Sequence, residues 1–183
     1  MAIPFESLIG KEMISSDAYD VGEINDVRYD PFEWNVVGLR IKTKRSEKLA
    51  AGSGKANLLI RPERFTLNDV MLLGQPLDRL RDSVVPDNSN ISSLSSLISA
   101  KVVTKDNLLV GTVTTAMIDT DGWKIRSIAV RLDKTAIEAM KMKKGLFAKI
   151  TAEVRTGLIL SCMDMVHLNE PMESLRENIM ILD

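Results

Sequence analysis

Cysteine and histidine are nearly absent: among 183 residues there is one of each, Cys162 and His167. A single cysteine excludes an internal disulfide and any cysteine-cluster metal site. It stands in the apolar run Leu158–Met163, where a buried, inert thiol is the default because no activating cation or imidazole lies beside it in sequence. One histidine leaves little for a histidine-based triad or metal site, and His167 sits in a strand-like apolar stretch. Aromatic residues are only 4 %, so core volume must come from Ile, Leu, Val and ten Met. There is no charge excess: 24 basic residues face 25 acidic ones, a formal net charge of −1. That balance argues against a nucleic-acid binder, which usually carries a basic surplus. No stretch approaches the roughly twenty apolar residues that span a bilayer. The opening Met1–Glu6 lacks the basic region and apolar run of a signal peptide, so the expectation is a cytoplasmic chain.

What is present is repetition, the feature to seek before any other. Placing Leu8-Ile9 over Leu97-Ile98 puts Asp17 on Asp106, Val21-Gly22 on Val110-Gly111 and Ile24 on Val113, without a gap. The same register carries Asp30 onto Asp119, Trp34 onto Trp123, Val36 onto Ile125, Leu39 onto Ile128 and Ile41 onto Val130. These are the only two tryptophans in the chain. Further on, Asp69 falls on Asp164, Leu73 on Leu168, Pro76 on Pro171 and Leu80-Arg81 on Leu175-Arg176. The offset has grown from 89 to 95, so the second copy carries six extra residues, as a surface loop allows. Between the copies, Val85–Ser93 is dense in Pro, Asn, Asp and Ser, the composition of a linker. The organisation expected is module one over residues 1–85, a linker over 86–93 and module two over 94–183.

Each module reads as β. Residues 36–41 and 125–130 alternate β-branched and polar side chains at a period near two. Asp119-Thr120-Asp121-Gly122 predicts a hairpin turn with Gly supplying the positive φ; Asp30-Pro31-Phe32-Glu33 has no Gly, so a different turn type is expected there. Gly22 and Gly111 recur inside strand segments, which signals a bulge, a bend or a close backbone approach rather than a ligand site. Leu58-Leu59-Ile60 is expected to correspond to Phe147–Ile150. Pro76–Leu80 and Pro171–Leu175 each suggest a short helical turn with Pro in its first position. In copy two, Thr135-Ala136-Ile137-Glu138 has capping-box spacing, and Ala139–Lys144 would extend a lysine-rich helix to a stop at Gly145. Lys44–Lys55, in copy one, reads as a frayed helix or loop.

This order of strand, Gly, strand, Asp-bearing turn, strand and Pro-led closing turn resembles the PRC-barrel family, and the resemblance spans nearly the whole chain outside the linker. Ile60-Arg61-Pro62-Glu63 to Asp69-Val70 is similar to that family's isoleucine, proline, aspartate and valine segment. Copy two departs from it, with Ala152 taken as the counterpart of Pro62 and Met165 as that of Val70. The implied fold is mainly β: two tandem small β-barrels with short helical turns and one short helix in the second.

Candidate chemistry is sparse. Gly52-Ser53-Gly54-Lys55 fails the phosphate-loop pattern, with Leu49 and Ala56 where Gly and Ser or Thr are needed. The acidic runs Asp17, Asp20, Asp26, Asp30 and Asp119, Asp121, Asp133 match no calcium loop and suit turns. No catalytic residue, cofactor or metal ligand is expected. Basic residues cluster in corresponding places, Arg40, Lys42, Lys44, Arg45 and Lys48 in one copy and Lys141, Lys143, Lys144 and Lys149 in the other. A solvated or edge-guarding face is the simpler reading, RNA or anionic lipid the sharper. The apolar end Ile179-Met180-Ile181-Leu182 either packs as a last strand or offers an edge to a partner by strand addition.

The resemblance implies a non-enzymatic adaptor like the archaeal cell-division PRC-barrel proteins (CdpB-like). These associate with one another and with the membrane anchor SepF, which holds the FtsZ ring. A homodimer, or a heterodimer with a related PRC-barrel protein, is expected at the division site, with membrane contact only through partners. The alternative is an RNA- or ribosome-associated factor, since ribosome-maturation proteins of the RimM type carry one PRC-barrel. The copies are unequal, which suggests that one is specialised for self-pairing and the other for a partner.

Overall fold

The computed structural model describes residues 1–43, 57–62, 65–142 and 149–182. The chain opens with β1 (Ala2–Pro4), then β2 (Glu12–Ile14), β3 (Asp20–Tyr29), β4 (Val36–Lys42), β5 (Asn57–Ile60), β6 (Phe65–Leu67), β7 (Met71–Leu73) and β8 (Val84–Val85). A second round repeats the order: β9 (Ser92–Ser93), β10 (Lys101–Val103), β11 (Leu109–Asp119), β12 (Lys124–Leu132), β13 (Thr151–Arg155), β14 (Ile159–Cys162), β15 (Val166–Leu168) and β16 (Met180–Leu182). Among the described residues, three short helices, α1 (Leu94–Leu97), α2 (Lys134–Ala139) and α3 (Met172–Asn178), complete the set with a few 3-10 turns. The fold is mainly β, two eight-stranded sheets.

The sheets have one topology. One runs β6-β7-β2-β3-β4-β5-β8 with β9 added on β3, the other β14-β15-β10-β11-β12-β13-β16 with β1 added on β11. Among the described residues only β2·β7 and β10·β15 are parallel, and they pair Met13 with Met71 and Val102 with Val166, equivalent residues in the two copies. The compact units cut across the repeat. One comprises Phe5–Asp30 and Asn35–Ser95; the other comprises Met1–Pro4, Pro31–Trp34 and Ser96–Asp183.

In the first unit the core is Leu8, Met13, Val21, Ile24, Val27, Tyr29, Leu39, Ile41, Ile60, Met71, Leu73 and Leu80, all at most 2 % exposed. The alternation along β3 is broken because bulges fall between Ile24 and Asp26 and between Arg28 and Tyr29, shifting which residues face inward. Gly22 sits on β3 where a Cβ would stand 2.4 Å from the Lys42 carbonyl oxygen, and its φ is +149°. At Gly111 on β11 the same atom would meet the Arg131 carbonyl at 2.1 Å. Both glycines let two backbones cross closer than any side chain permits.

The hairpin turns differ from expectation. Gly122 is not the left-handed residue; Trp123 is, at φ 47°, and Trp34 holds the equivalent place at φ 61°. The two turns therefore share one left-handed position, and the Gly-free loop Pro31–Glu33 needs no separate turn type. A bulky residue there is strained. For Trp34 burial of the indole, 6 % exposed, is the offsetting gain, and its carbonyl accepts the Ile125 N–H at 2.8 Å.

The closing helices also depart in detail. Pro76 and Pro171 are N-caps rather than first helical residues, preceding a 3-10 stretch (Leu77–Ser83) and α3. Proline offers no capping side chain, so the first free amide is satisfied from elsewhere. Leu77 N–H donates to Asp17 at 3.0 Å, and Met172 N–H to Asp106. Bonds from the Ser15 hydroxyl and then the Leu77 amide hold the Asp17 carboxyl below its usual range against the opposing effect of burial. Thr104 and then Met172 do the same for Asp106. In α2 the N-cap is Asp133, accepting from Thr135 N–H, so the Thr135 capping box does not form. The helix ends at Ala139 because Lys141 turns left-handed at φ 53°, with Met142 N–H on the Ile137 carbonyl and Lys141 N–H on the Glu138 carbonyl. The proposed stop at Gly145, and the Gly-Ser-Gly loop of copy one, lie outside the described residues.

Strand register corrects the repeat alignment. Leu39 pairs with Ile60, and its equivalent Ile128 pairs with Val154. Leu58–Ile60 thus corresponds to Ala152–Val154, not Phe147–Ile150, and the counterpart of Pro62 is Thr156, not Ala152. Five of the six extra residues precede β13. The sixth is in β14: Phe65 and Thr66 face Leu73 and Leu72, whereas Ile159 and Ser161 face the equivalent Leu168 and His167, with a register break between them. The inserted residue is Leu160.

Two outcomes follow from these contacts. Gly22→Ala and Gly111→Ala should each destabilise their unit by about 2–4 kcal/mol in urea unfolding, since the blocking atom is backbone and cannot step aside. Because Asp17 and Asp106 have folded-state values below the ordinary 3.8, the stability they contribute is complete above pH 3.8 and fades as pH falls through the lower folded values. Asp17→Asn with Asp106→Asn should flatten that acid limb in urea midpoints measured from pH 5 to 2.

Candidate interaction surface

Most of the chemistry-bearing residues are spent on the fold. Asp26, buried, accepts from the Ser93 hydroxyl at 2.6 Å and from the Ser95 hydroxyl and amide at 2.8 and 3.1 Å, fixing the entry to α1. Asp119 is pushed up by burial, but the Arg126 guanidinium, the Asp121 amide and the terminal amine outweigh this and hold it below the usual carboxylate range. His167 lies where Leu72 stands in copy one, with Nε2 2.9 Å from Asn107 Oδ1. Cys162 is buried and in no disulfide. Among the described residues, no three His, Cys, Asp or Glu side chains lie close enough to share a metal ion. Of the basic clusters, Arg40 is engaged with Asp87, its Nε 3.5 Å from Oδ2, while Arg28 Nε lies 2.9 Å from Oδ1. Lys44, Arg45, Lys48, Lys143 and Lys144 lie outside the described residues.

Among the described residues large apolar side chains are exposed on both units, and five of them, Leu160, Met163, Met165, Met180 and Leu182, lie at the ends of the second unit's sheet. At one end β16 pairs, among the described residues, only with β13, setting Met180 opposite Glu153, Ile181 opposite Ala152 and Leu182 opposite Thr151. Of the four predicted partner-binding residues, Ile179 is buried and Ile181 half-buried, whereas Met180, at 57 %, and Leu182 are exposed. Ile179 and Met180 also line an open cavity of about 430 Å³ with Glu153, Arg155, Leu158, Glu177 and Asn178. So the terminal run both packs as a last strand and keeps one edge of its backbone outermost.

One residue of the cavity wall, Glu153, differs in chemistry from its equivalent in copy one, Leu59. In copy one Leu59 lies over Gly38, so close that a Cβ on the glycine would stand 2.6 Å from Leu59 Cγ. The equivalent pair in copy two is Ser127 and Glu153, and the buried Ser127 hydroxyl donates to the Glu153 carboxylate. A small residue under a large apolar one has been exchanged for a hydrogen-bonded polar pair.

At the other end, β14 pairs only with β15. The inserted Leu160 is a bulge residue at 68 % exposure, and a bulge in an edge strand both disrupts pairing along that edge and re-aims a side chain. At the adjoining turn Met163 is 83 % exposed, and Met165 is exposed beside it. Copy one has Asn68 and Val70 in those places. Sequence reading took Leu158–Met163 as an apolar run around a buried Cys162 and did not single out this hairpin. The available signal was the change from Asn68 to Met163 at a turn tip, where solvent rather than core is the default.

No known family profile matches the chain, and no curated protein matches it. Among solved structures it is similar to a chain assigned as the 16S ribosomal RNA processing protein RimM of Pseudomonas aeruginosa, with 11 % identity, 93 % of this chain and 98 % of that chain covered, and a TM-score of 0.29.

Glu153→Leu alone should cost about 1–3 kcal/mol, because it strands the Ser127 hydroxyl in a dry site. Adding Ser127→Gly, which reproduces the Gly38–Leu59 arrangement, should recover most of that loss. A double-mutant cycle in urea would show a coupling of at least about 1 kcal/mol.

Proposed function

We propose that the protein is a non-enzymatic adaptor whose second unit docks a protein partner through the Leu160–Met165 hairpin and the β16 edge. The supporting observation is the exposure of large apolar side chains, Leu160, Met163 and Met165, on the turn and bulge of one hairpin. Isolated exposed hydrophobics are ordinary, but Leu160 and Met163 stand 68 % and 83 % exposed on one hairpin, where copy one has no residue and Asn68 and exposes only Val70 and Leu72, at 37 % and 45 %. A protruding Leu-Met knob fits an apolar pocket on a folded partner. The regular β16 edge suits addition of an extended segment.

The resemblance to PRC-barrel proteins of archaeal cell division supplies the partner class: another PRC-barrel protein, with SepF directly or through it and the FtsZ ring at one remove. The alternative, an RNA- or ribosome-associated factor, finds less support in the residues, because Arg40 is occupied by Asp87 and the exposed group is apolar.

Leu160→Lys with Met163→Lys should leave folding stability within about 0.5 kcal/mol, as surface changes do. In a pull-down from native cells at moderate salt, the unsubstituted chain should retain a division protein and the double variant lose it. Recovery of no division protein, or equal recovery by both, rejects the reading. A shift of ribosomal RNA near 50 mM salt that weakens steeply on adding salt would favour the alternative instead.

A further inference from the structure

β3 and β11 are longer than the strands beside them. On one flank β3 pairs with β2 only over Asp20–Glu23, and β11 with β10 only over Leu109–Thr112. The far half of each would be a bare edge, and it is covered by a short leader strand. β1 covers β11, with Ala2 opposite Asp119, Ile3 opposite Ile118 and Pro4 opposite Met117. β9 covers β3, with Ser92 opposite Tyr29 and Ser93 opposite Arg28. Under the repeat, Ile3 is equivalent to Ser92, Pro4 to Ser93, Ile118 to Tyr29 and Met117 to Arg28. The leader of copy one therefore closes the long strand of copy two, and the leader of copy two closes that of copy one, at the same register.

We propose that these leaders are exchangeable between molecules, so that a second copy of this chain is a partner: Met1–Pro4 of one molecule closes β11 of another. Three features carry this. The leaders are only three and two residues long and lie at the outside of their sheets, so releasing one leaves the rest of each sheet paired. The residues that follow each leader, Phe5 and Leu8 in one case and Leu94 and Leu97 in the other, are buried and hold their ends independently of the strand. A released leader bares an edge whose register and side chains already match the leader of any other copy, which makes the edge self-selective. Within one molecule the tether supplies an effective concentration near the millimolar range, so closure on itself dominates in dilute solution and exchange grows with concentration. This inference does not rest on the adaptor reading.

The test uses full-length chains carrying Cys162→Ser and two different tags, one with Ile3→Cys and the other with Ile118→Cys. After co-refolding from urea at about 0.5 mM and oxidation, roughly a tenth or more of the chains should run as a disulfide-linked heterodimer. Folded chains mixed without unfolding should give far less. A single chain with both substitutions should instead cross-link internally, and Pro4→Cys with Met117→Cys provides a second pair should the first disturb folding. No heterodimer after co-refolding, with the internal cross-link present, overturns exchange between molecules. Failure of the internal cross-link in both pairs overturns the placement of the leader itself.

Discussion

The backbone pairing of each leader with the overhanging half of a long strand is the constraint on which the arrangement depends. An unpaired run of N–H and C=O groups beside Met117, Ile118 and Asp119, or beside Arg28 and Tyr29, would be an open template for association. The chain meets this by supplying each leader from the other copy. Each compact unit consequently holds residues from both halves of the sequence, and the backbone passes from one unit to the other at residues 4–5, 30–31, 34–35 and 95–96. The segment read as a linker takes part: Asp87 faces Arg28 and Arg40, the Ile91 carbonyl accepts from Arg28, and Ser92–Ser93 is strand.

The register of the shared frame is kept even where its residues differ, as Ile118 and Tyr29 do. Gly22 and Gly111, the Asp17 and Asp106 caps and the left-handed tryptophans are common to both copies. Ser127, Glu153, Leu160, Met163, Met165 and His167 are particular to the second, replacing Gly38, Leu59, no residue, Asn68, Val70 and Leu72. All lie on the strands β12 to β15 or the turn between β14 and β15. Of these, Leu160, Met163 and Met165 are exposed, whereas Ser127 is buried beneath Glu153.

Much of the architecture was legible in the residues. Two tryptophans at one offset exposed the doubling, and glycine inside a strand signalled a close backbone approach. The mainly-β class came from period-two alternation. The misreadings have physical reasons. A single inserted residue in a strand changes no composition, so the Leu160 bulge was invisible without the pairing partner. Turn chemistry pointed to Gly122, but the left-handed position fell on Trp123 because the loop closes on Lys124 rather than on Trp123 itself. Asp133 outcompetes Thr135 as a cap because both the amide and the hydroxyl of Thr135 donate to it. Exchange of the leaders could not be seen in sequence at all, since equivalent strands fit equivalent edges equally well.

That equivalence also defines the most direct measurement: cross-strand nuclear Overhauser contacts of the leader residues in dilute solution. Exchanged leaders place Ile3 against Ile118 and Ser92 against Tyr29. Contacts of Ile3 with Tyr29, together with contacts of Ser92 with Ile118, would mean that each copy closes itself, and would contradict the account.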